Sequence, residues 1–420
     1  MKLQKPKGTR DFFPEDMESR NQVFDRLRNI AKRYGFGEVE SPAFENIETL
    51  TAKQGGEILE QIFVLEKKGD EQFGLRYDLT VPITRMFVEK QKDTPKPVKW
   101  FYMTKMWRYE RPQSGRLREF YQFGVELFGS DKAEADAEVI SLAIDALLDL
   151  GLKESDFIVK INNRKLLQGL IYGFNIVNKV DEVIRVIDKA KKIAESEFQK
   201  ELEGLGLNFG QIKNIEEMMK IRNPEEFEKF DLNDEAKLGL EELKKVINFL
   251  KTYGKESFIQ IDLSVARGLL YYTGTVFECF DREEKMRSIF AGGRYDKLVE
   301  QFGGQPCPAT GFAMGDVTSQ ILLEKRGLWP RAYIGPDYYI AIVSSDVRKK
   351  AIEIAQKLRG QYSVDIDLME RALGKQMQYA ASIAAKKVVI IGPDELNKGK
   401  VKVRDMASGK EEDVKIDELI

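Results

Sequence analysis

Across residues 100–129 the hydrophobic and polar positions alternate on either side of a polar break at Pro112, Gln113, Ser114 and Gly115. This pattern predicts two strands joined by a turn. In the second strand Tyr121, Phe123, Val125 and Leu127 fall on one face, and Gln122, Gly124 and Glu126 on the other. The first strand sets Phe101, Met103, Trp107 and Tyr109 against Arg108 and Glu110. By pattern alone this is an antiparallel hairpin with one buried face and one half-solvated face.

The flanking pattern extends the picture. Pro14, Glu15 and Asp16 open a helix in which Val23, Leu27, Ile30 and Tyr34 keep helical spacing until Gly35. A strand over residues 38–42 ends at Pro42. Residues 62–77 read as a second hairpin turned at Lys68-Gly69-Asp70, followed by a helix to Lys90 that Asp78 or Thr80 could cap. Residues 131–150 form an amphipathic helix behind the first hairpin. Residues 155–255 are rich in Lys, Glu, Ile and Leu, and predict a run of helices broken at Leu205-Gly206-Leu207 and at Asn223-Pro224. Strands return over 259–281. After a linker at 325–336, strand and helix alternate (YYIAIV, a helix at 346–359, VDIDL, a helix at 374–385, VVIIG), which predicts a small α/β domain with a largely parallel sheet.

Composition narrows the chemistry. A chain of 420 residues suggests two to three domains. It is 42% hydrophobic and 32% charged, with a formal net charge of −2, and that balance leaves nucleic-acid binding open because binding depends on where positive charge sits. No apolar run reaches membrane-spanning length and no signal-like segment leads the chain, so a cytoplasmic protein with no membrane partner is expected. Cys279 and Cys307 cannot make a disulfide scaffold or a zinc site on their own. The chain has no histidine, which removes every Ser-His-Asp or Cys-His nucleophile and every His-ligated metal. Chemistry must rest on Arg, Lys, carboxylates, Tyr, backbone donors or the substrate itself.

Residue identity adds a resemblance. Arg108-Tyr109-Glu110-Arg111-Pro112, Gly115-Arg116, Arg118-Glu119-Phe120 and Gln122-Phe123-Gly124-Val125-Glu126 together resemble the second signature motif of class II aminoacyl-tRNA synthetases, in the version found in histidyl-tRNA synthetases. Residues 6–14 (PKGTRDFFP) resemble that family's leading segment, and residues 15–44 its first motif, which implies a homodimer interface. Val265 to Glu278 is similar to the histidine-specific signature, with Leu270 where an acidic residue is common, and Gly292-Gly293-Arg294-Tyr295-Asp296 is also family-like. The glycines of that second run would let backbone approach a ligand closely. The resemblance implies an α/β multidomain fold. A class II antiparallel sheet flanked by helices would span 1–154 and 256–324, with a helical insertion at 155–255 and a C-terminal α/β anticodon-binding domain at 337–420.

It also implies roles. Arg267 and Arg108 would be catalytic, bridging carboxylate and α-phosphate with forked donors. Asp78, Thr80 and Gln122 would hold the amino acid, Glu126 and Tyr272 would read its imidazole, and Arg267, Tyr271 and Tyr295 would complete the pocket. Arg116 would reach the distal phosphates of ATP, Glu110 would read the adenine amino group and Phe120 would stack on the ring. Mg²⁺ would screen the phosphates. The implied reaction joins L-histidine to tRNA(His) through histidyl-adenylate. Read without the resemblance, Asp78 or Thr80 caps the helix to Lys90 and Tyr271-Tyr272 is a cross-strand aromatic pair. One departure stands out. The third class II motif normally ends in Glu-Arg, whose arginine clamps the nucleotide, whereas here Gly315 is followed by Asp316-Val317-Thr318. Arg116 and Arg118 are the nearest substitutes in sequence. The alternative reading is a non-catalytic, histidine-sensing relative, the regulatory subunit of ATP phosphoribosyltransferase.

Overall fold

The structure, a computed structural model, describes residues 3–52, 56–191, 193–266 and 271–419. It divides into two compact units, Met1–Asp11 with Gln22–Trp329, and Phe12–Asn21 with Pro330–Ile420. In the first, the strands run β1 (Gly37–Glu38), β2 (Phe44–Asn46), β3 (Phe73–Leu75), β4 (Val98–Trp107), β5 (Glu119–Phe128), β6 (Phe157–Asn163), β7 (Ile259–Ile261), β8 (Thr275–Asp281), β9 (Phe290–Arg294) and β10 (Ala309–Gly315). Eight of them form one sheet in the order β1-β4-β5-β10-β9-β8-β6-β7, while β2 and β3 pair separately. Only β1–β4 and β6–β7 are parallel in the large sheet. Its register sets Glu126 on β5 opposite Gly311 on β10, and Gly311 opposite Gly293 on β9. Three hydrogen-bonded strands therefore place a carboxyl beside two residues without side chains.

Helices cover the sheet on both faces. On one, Val23, Leu27 and Ile30 of α1 (Pro14–Arg33) join Phe101, Phe123, Val125 and Leu127 in the main core, together with α4 (Ala133–Asp149), whose inward face is almost wholly aliphatic. The other face was expected to be half-solvated, and it is not. Tyr102, Met106, Phe120 and Phe128 are buried there against Ile83 and Phe87 of α3 (Thr80–Lys90), which follows the short α2 (Ile47–Thr51). The rings of Phe87 and Phe128 stack at 4.3 Å. Polar side chains on that face consequently sit in a covered cleft, where an unpaired group is costly.

The segment expected to be a run of helices opens instead with β6, a fully buried strand of the large sheet. Its polar letters hid it. Lys160 reaches Glu284 at 2.5 Å and Asp262 at 3.3 Å, and Asn162 donates to the carbonyls of Leu263 and Val265. Helices then follow as α5 (Arg164–Gly173), α6 (Val180–Lys189), α7 (Glu195–Gly204), α8 (Phe209–Met219) and α9 (Asp234–Thr252). Asn163 caps α5 by accepting from the N–H groups of Lys165 and Leu166. Their apolar faces continue the main core rather than forming a separate one. The sheet is completed at its site end by α10 (Leu298–Gln301) and α11 (Asp316–Lys325).

In the second unit, β11 (Tyr338–Ile342), α12 (Arg348–Leu358), β12 (Val364–Ile366), α13 (Leu373–Ser382), β13 (Lys387–Ile391), α14 (Pro393–Asn397), β14 (Lys400–Asp405), β15 (Glu411–Lys415) and α15 (Ile416–Leu419) build a five-stranded sheet ordered β12-β11-β13-β14-β15. The first three strands are parallel and the last two antiparallel, matching the expected strand–helix alternation with a β-rich end.

Helices α5 and α9 cross with their backbones nearly touching. A Cβ on Gly239 would lie 2.2 Å from the backbone nitrogen of Leu166, and one on Gly169 would lie 2.4 Å from that of Ala236. Since backbone cannot yield cheaply, Gly239→Ala is expected to destabilise the first unit by roughly 1–3 kcal/mol or more. Urea unfolding with an unchanged midpoint would contradict this packing.

Candidate active site

The covered face of the sheet encloses a cavity of about 640 Å³, within the range of small-molecule sites. The chain entering it is fixed by Arg76, a buried side chain whose guanidinium donates to the carbonyls of Ser41, Pro42 and Lys105 and to the Thr104 hydroxyl. Two residues on, Asp78 lines the cavity. Burial raises its carboxyl pKa, against the pull of Arg108 and of the N–H groups of Val81 and Thr80 at the start of α3. Its Oδ1 has no hydrogen-bond partner among the described residues, and neither has Oε1 of the buried Gln122. Asp78 thus steadies a helix start and still offers one free acceptor.

Deeper in, Glu126 is only 2% exposed. Its carboxyl accepts from Thr80 Oγ1 at 2.9 Å and from the Tyr295 hydroxyl. Gly311 is what makes the room, because a Cβ there would lie 2.0 Å from Oε2. Burial pushes Glu126 up to about 8, offset in part by the two hydroxyl donors and reinforced by Asp78. Tyr271, Tyr272 and Tyr295 wall this end, with ring centroids 4.6 Å and 6.1 Å from Tyr271 to the other two. The space at Gly293 is taken by the Tyr272 ring, 2.8 Å from where a Cβ would stand, so this glycine accommodates a protein ring rather than a ligand.

Cations occupy the rest of the cavity. Arg108 donates from Nε to the Tyr77 carbonyl at 3.0 Å and lies over the Phe120 ring at 5.0 Å. Arg116 pairs with Glu110, and burial together with Arg108 and Arg287 lowers it to about 10. Arg287 and Arg185 also line the wall, from the β8–β9 loop and from α6. The electrostatic neighbours form a series: Glu126 feels Asp78, Asp78 feels Arg108, and Arg116 feels both Arg108 and Arg287. The cavity has a carboxyl end and a guanidinium end, the arrangement required by a ligand with an ammonium at one end and several negative charges at the other.

Residues 8–317 match the family model of histidyl-tRNA synthetase, and residues 337–420 that of an anticodon-binding domain. The chain belongs to the histidyl-tRNA synthetase family. Histidine–tRNA ligases of Haloarcula marismortui and Pyrococcus horikoshii are 42% and 40% identical to it, over 96% and 100% of this chain and 94% and 98% of theirs. The crystal structure of histidyl-tRNA synthetase from Nostoc sp. superposes with a TM-score of 0.82 at 28% identity, over 100% of this chain and 98% of that one.

Set against the family motifs, the expected residues divide. Asp78, Thr80, Arg108, Arg116, Phe120, Gln122, Glu126, Tyr271, Tyr272 and Tyr295 meet in one cavity. Glu110 does not line it and instead holds Arg116. Arg118 turns away, donating to the Glu110 carbonyl and stacking on Tyr109, so it is no substitute for the third-motif arginine. Arg267 lies outside the described residues. The third-motif helix α11 is put to another use. Asp316 pairs with Arg10 at 2.5 Å and accepts from the Tyr121 N–H at 2.9 Å, tying the leading segment and β5 together. Sequence reading missed Arg287, Arg185 and Arg10. Arg10 and Arg287 stand in loops and Arg185 on the polar side of amphipathic α6, where nothing in the local pattern sets them apart from solvated arginines.

Because folding raises the Glu126 pKa from 4.5 to about 8, it favours the protonated form, and this group weighs increasingly against stability as pH rises through that window. An infrared difference spectrum of the ligand-free protein against Glu126→Gln should show a carboxylic-acid band at neutral pH that titrates near 8. Tyr295→Phe should move the midpoint up and Asp78→Asn should move it down. A fully ionised Glu126 at neutral pH would refute the buried-carboxyl description.

Proposed function

We propose that this chain joins L-histidine to tRNA(His) in two steps, first forming histidyl-adenylate and pyrophosphate from ATP. The observation that carries the reading is the polarity of the cavity. Asp78 Oδ1 and Gln122 Oε1, two acceptors without partners among the described residues, suit an α-ammonium, and the guanidinium end suits a triphosphate. Thr80 supports the ammonium site through Glu126. Glu126 and Tyr272 read the imidazole, whose donor and acceptor edges need complementary groups. The histidine carboxylate then attacks the α-phosphorus in line, and pyrophosphate leaves. Bringing two anions together is the main barrier, and Arg108, with Arg267 as its proposed partner, supplies fixed positive charge where the charge concentrates. In the second step a phosphate oxygen of the adenylate accepts the proton of the terminal ribose hydroxyl.

Among the described residues no group of three or more acidic or thiol side chains is placed to hold a metal ion. The cavity carboxyls have raised pKa values and Glu110 is engaged by Arg116, so Mg²⁺ enters as the ion carried on the phosphates of ATP. Full-length relatives that are ligases, and a match to an anticodon-binding domain over residues 337–420, favour the synthetase over the histidine-sensing regulatory subunit. The proposed location is the cytoplasm, where tRNA is charged. The protein acts as a homodimer through residues 15–44. Support comes from β1 standing at the edge of the large sheet and from Phe44, an exposed aromatic on β2 within the same segment.

ATP–pyrophosphate exchange tested with all the amino acids should be strongest with histidine, and Glu126→Ala should cost on the order of 2–4 kcal/mol in kcat/KM for histidine. Faster exchange with another amino acid would sink the assignment. Sedimentation should give a dimer, and a fully active monomer would count decisively against the interface.

A further inference from the structure

The third-motif position where a nucleotide-clamping arginine is expected is held by Thr318, which is only 5% exposed. Its methyl group faces the hairpin turn. A Cβ built on Gly115 would lie 3.3 Å from Thr318 Cγ2, 3.5 Å from Arg287 Cδ and 3.8 Å from Arg287 Cβ. The side chains of Thr318 and Arg287 therefore flank the same point of backbone, and both line the cavity. The stem of Arg287 thus lies against the same glycine of the hairpin turn as the Thr318 methyl group. Arg287 lies far from position 318 in the chain, in the loop between β8 and β9.

We propose that Arg287 is the phosphate-binding cation that replaces the missing third-motif arginine, holding the distal phosphates of ATP and the pyrophosphate that leaves. This rests on the adenylating activity proposed above and assigns a residue to it.

Three further observations support the assignment. The backbone of the loop that carries Arg287 is pinned, which fixes where its exposed side chain starts. The Met286 N–H donates to Asp281 Oδ1 at 2.9 Å, the Ile289 N–H to the Cys279 carbonyl at 2.8 Å, and the Gly315 N–H to the Ile289 carbonyl at 3.2 Å. Glu284, in the same loop, is held by the buried Lys160 at 2.5 Å. Next, the alternatives are engaged elsewhere, since Arg116 is paired with Glu110 and Arg118 donates to the Glu110 carbonyl. Last, no hydrogen bond or ion pair joins Arg287 to a described residue, and its charge bears on Arg116. Arg287 is exposed and carries its charge toward Arg116, and a triphosphate with its leaving pyrophosphate is a polyanion that can meet it there. An arginine fork suits it better than a lysine because it can meet two phosphate oxygens at once.

The test uses the full-length protein in ATP–pyrophosphate exchange, with histidine binding followed separately by calorimetry. Arg287→Ala should raise KM for ATP and lower kcat/KM for ATP by about ten- to a hundredfold, the usual effect of losing a charge-assisted hydrogen bond. Histidine affinity should stay within twofold of wild type, allowing roughly 0.4 kcal/mol for indirect effects. Arg287→Lys should fall in between, and Thr318→Arg added to Arg287→Ala should recover part of the loss by returning a cation beside the same glycine. An Arg287→Ala variant with unchanged ATP kinetics would overturn the assignment, and so would an equal loss of histidine and ATP binding. Absence of histidine-dependent exchange in the wild type would instead overturn the functional reading itself, so the two failures are distinguishable.

Discussion

A carboxyl group cannot be both buried and charged without compensation, and this cleft buries two of them beside an array of arginines. Asp78, just ahead of α3, and Glu126, on β5, both have raised pKa values because they are buried in the cleft between the sheet and α3. The hydroxyls of Thr80 and Tyr295 soften the position of Glu126. The arginines at the other end are more open, Arg108 and Arg116 half-buried and Arg185 and Arg287 exposed, so a charged ligand can reach them from solvent. The fold thus sets hydrogen-bonding carboxyls at one end of the cleft and guanidiniums at the other, and a ligand of matching polarity can complete it. Side chains that touch no substrate serve this end. Arg76 fixes the backbone ahead of Asp78, and Arg294, paired with Asp136 at 2.9 Å, fixes the backbone that presents Tyr295.

This frame explains why the altered third motif does not empty the site of its chemistry. A class II site needs positive charge at the distal phosphates, and charge is not tied to one position in the chain. Asp316 at the start of α11 holds Arg10 and the backbone of β5, so the helix keeps a structural task. The phosphate task passes to a loop pinned by Asp281 and Glu284, whose own anchor is the buried Lys160.

What could be read from the sequence follows from the range of the interactions involved. The hairpin, α1, α4 and the C-terminal α/β unit were legible because periodic burial writes itself into the order of residues. Asp78, Gln122, Glu126 and the tyrosines were legible through motifs of fixed spacing. Strand β6 was not, because Lys160, Asn162 and Asn163 are satisfied by partners about a hundred residues away, which no local pattern displays. The half-solvated face of the hairpin was misread for the same reason, since its cover comes from α3 and from Tyr272, Tyr295 and Leu298. Arg287 is invisible to sequence reading because its significance depends on which backbone it meets. Glu110 and Arg118 show the converse: a motif assigns residue types, but packing decided that they hold the hairpin turn rather than line the cavity.

The central claim is that the carboxyl and guanidinium ends of one cleft receive the two ends of the reaction. A crystal structure with histidine and a non-hydrolysable ATP analogue tests this most directly. The account predicts the α-ammonium at Asp78 Oδ1 and Gln122 Oε1, the imidazole against Glu126, and the distal phosphates within hydrogen-bond reach of Arg287. Phosphates directed away from Arg116 and Arg287, or an amino acid seated outside the Asp78–Glu126 end, would contradict it.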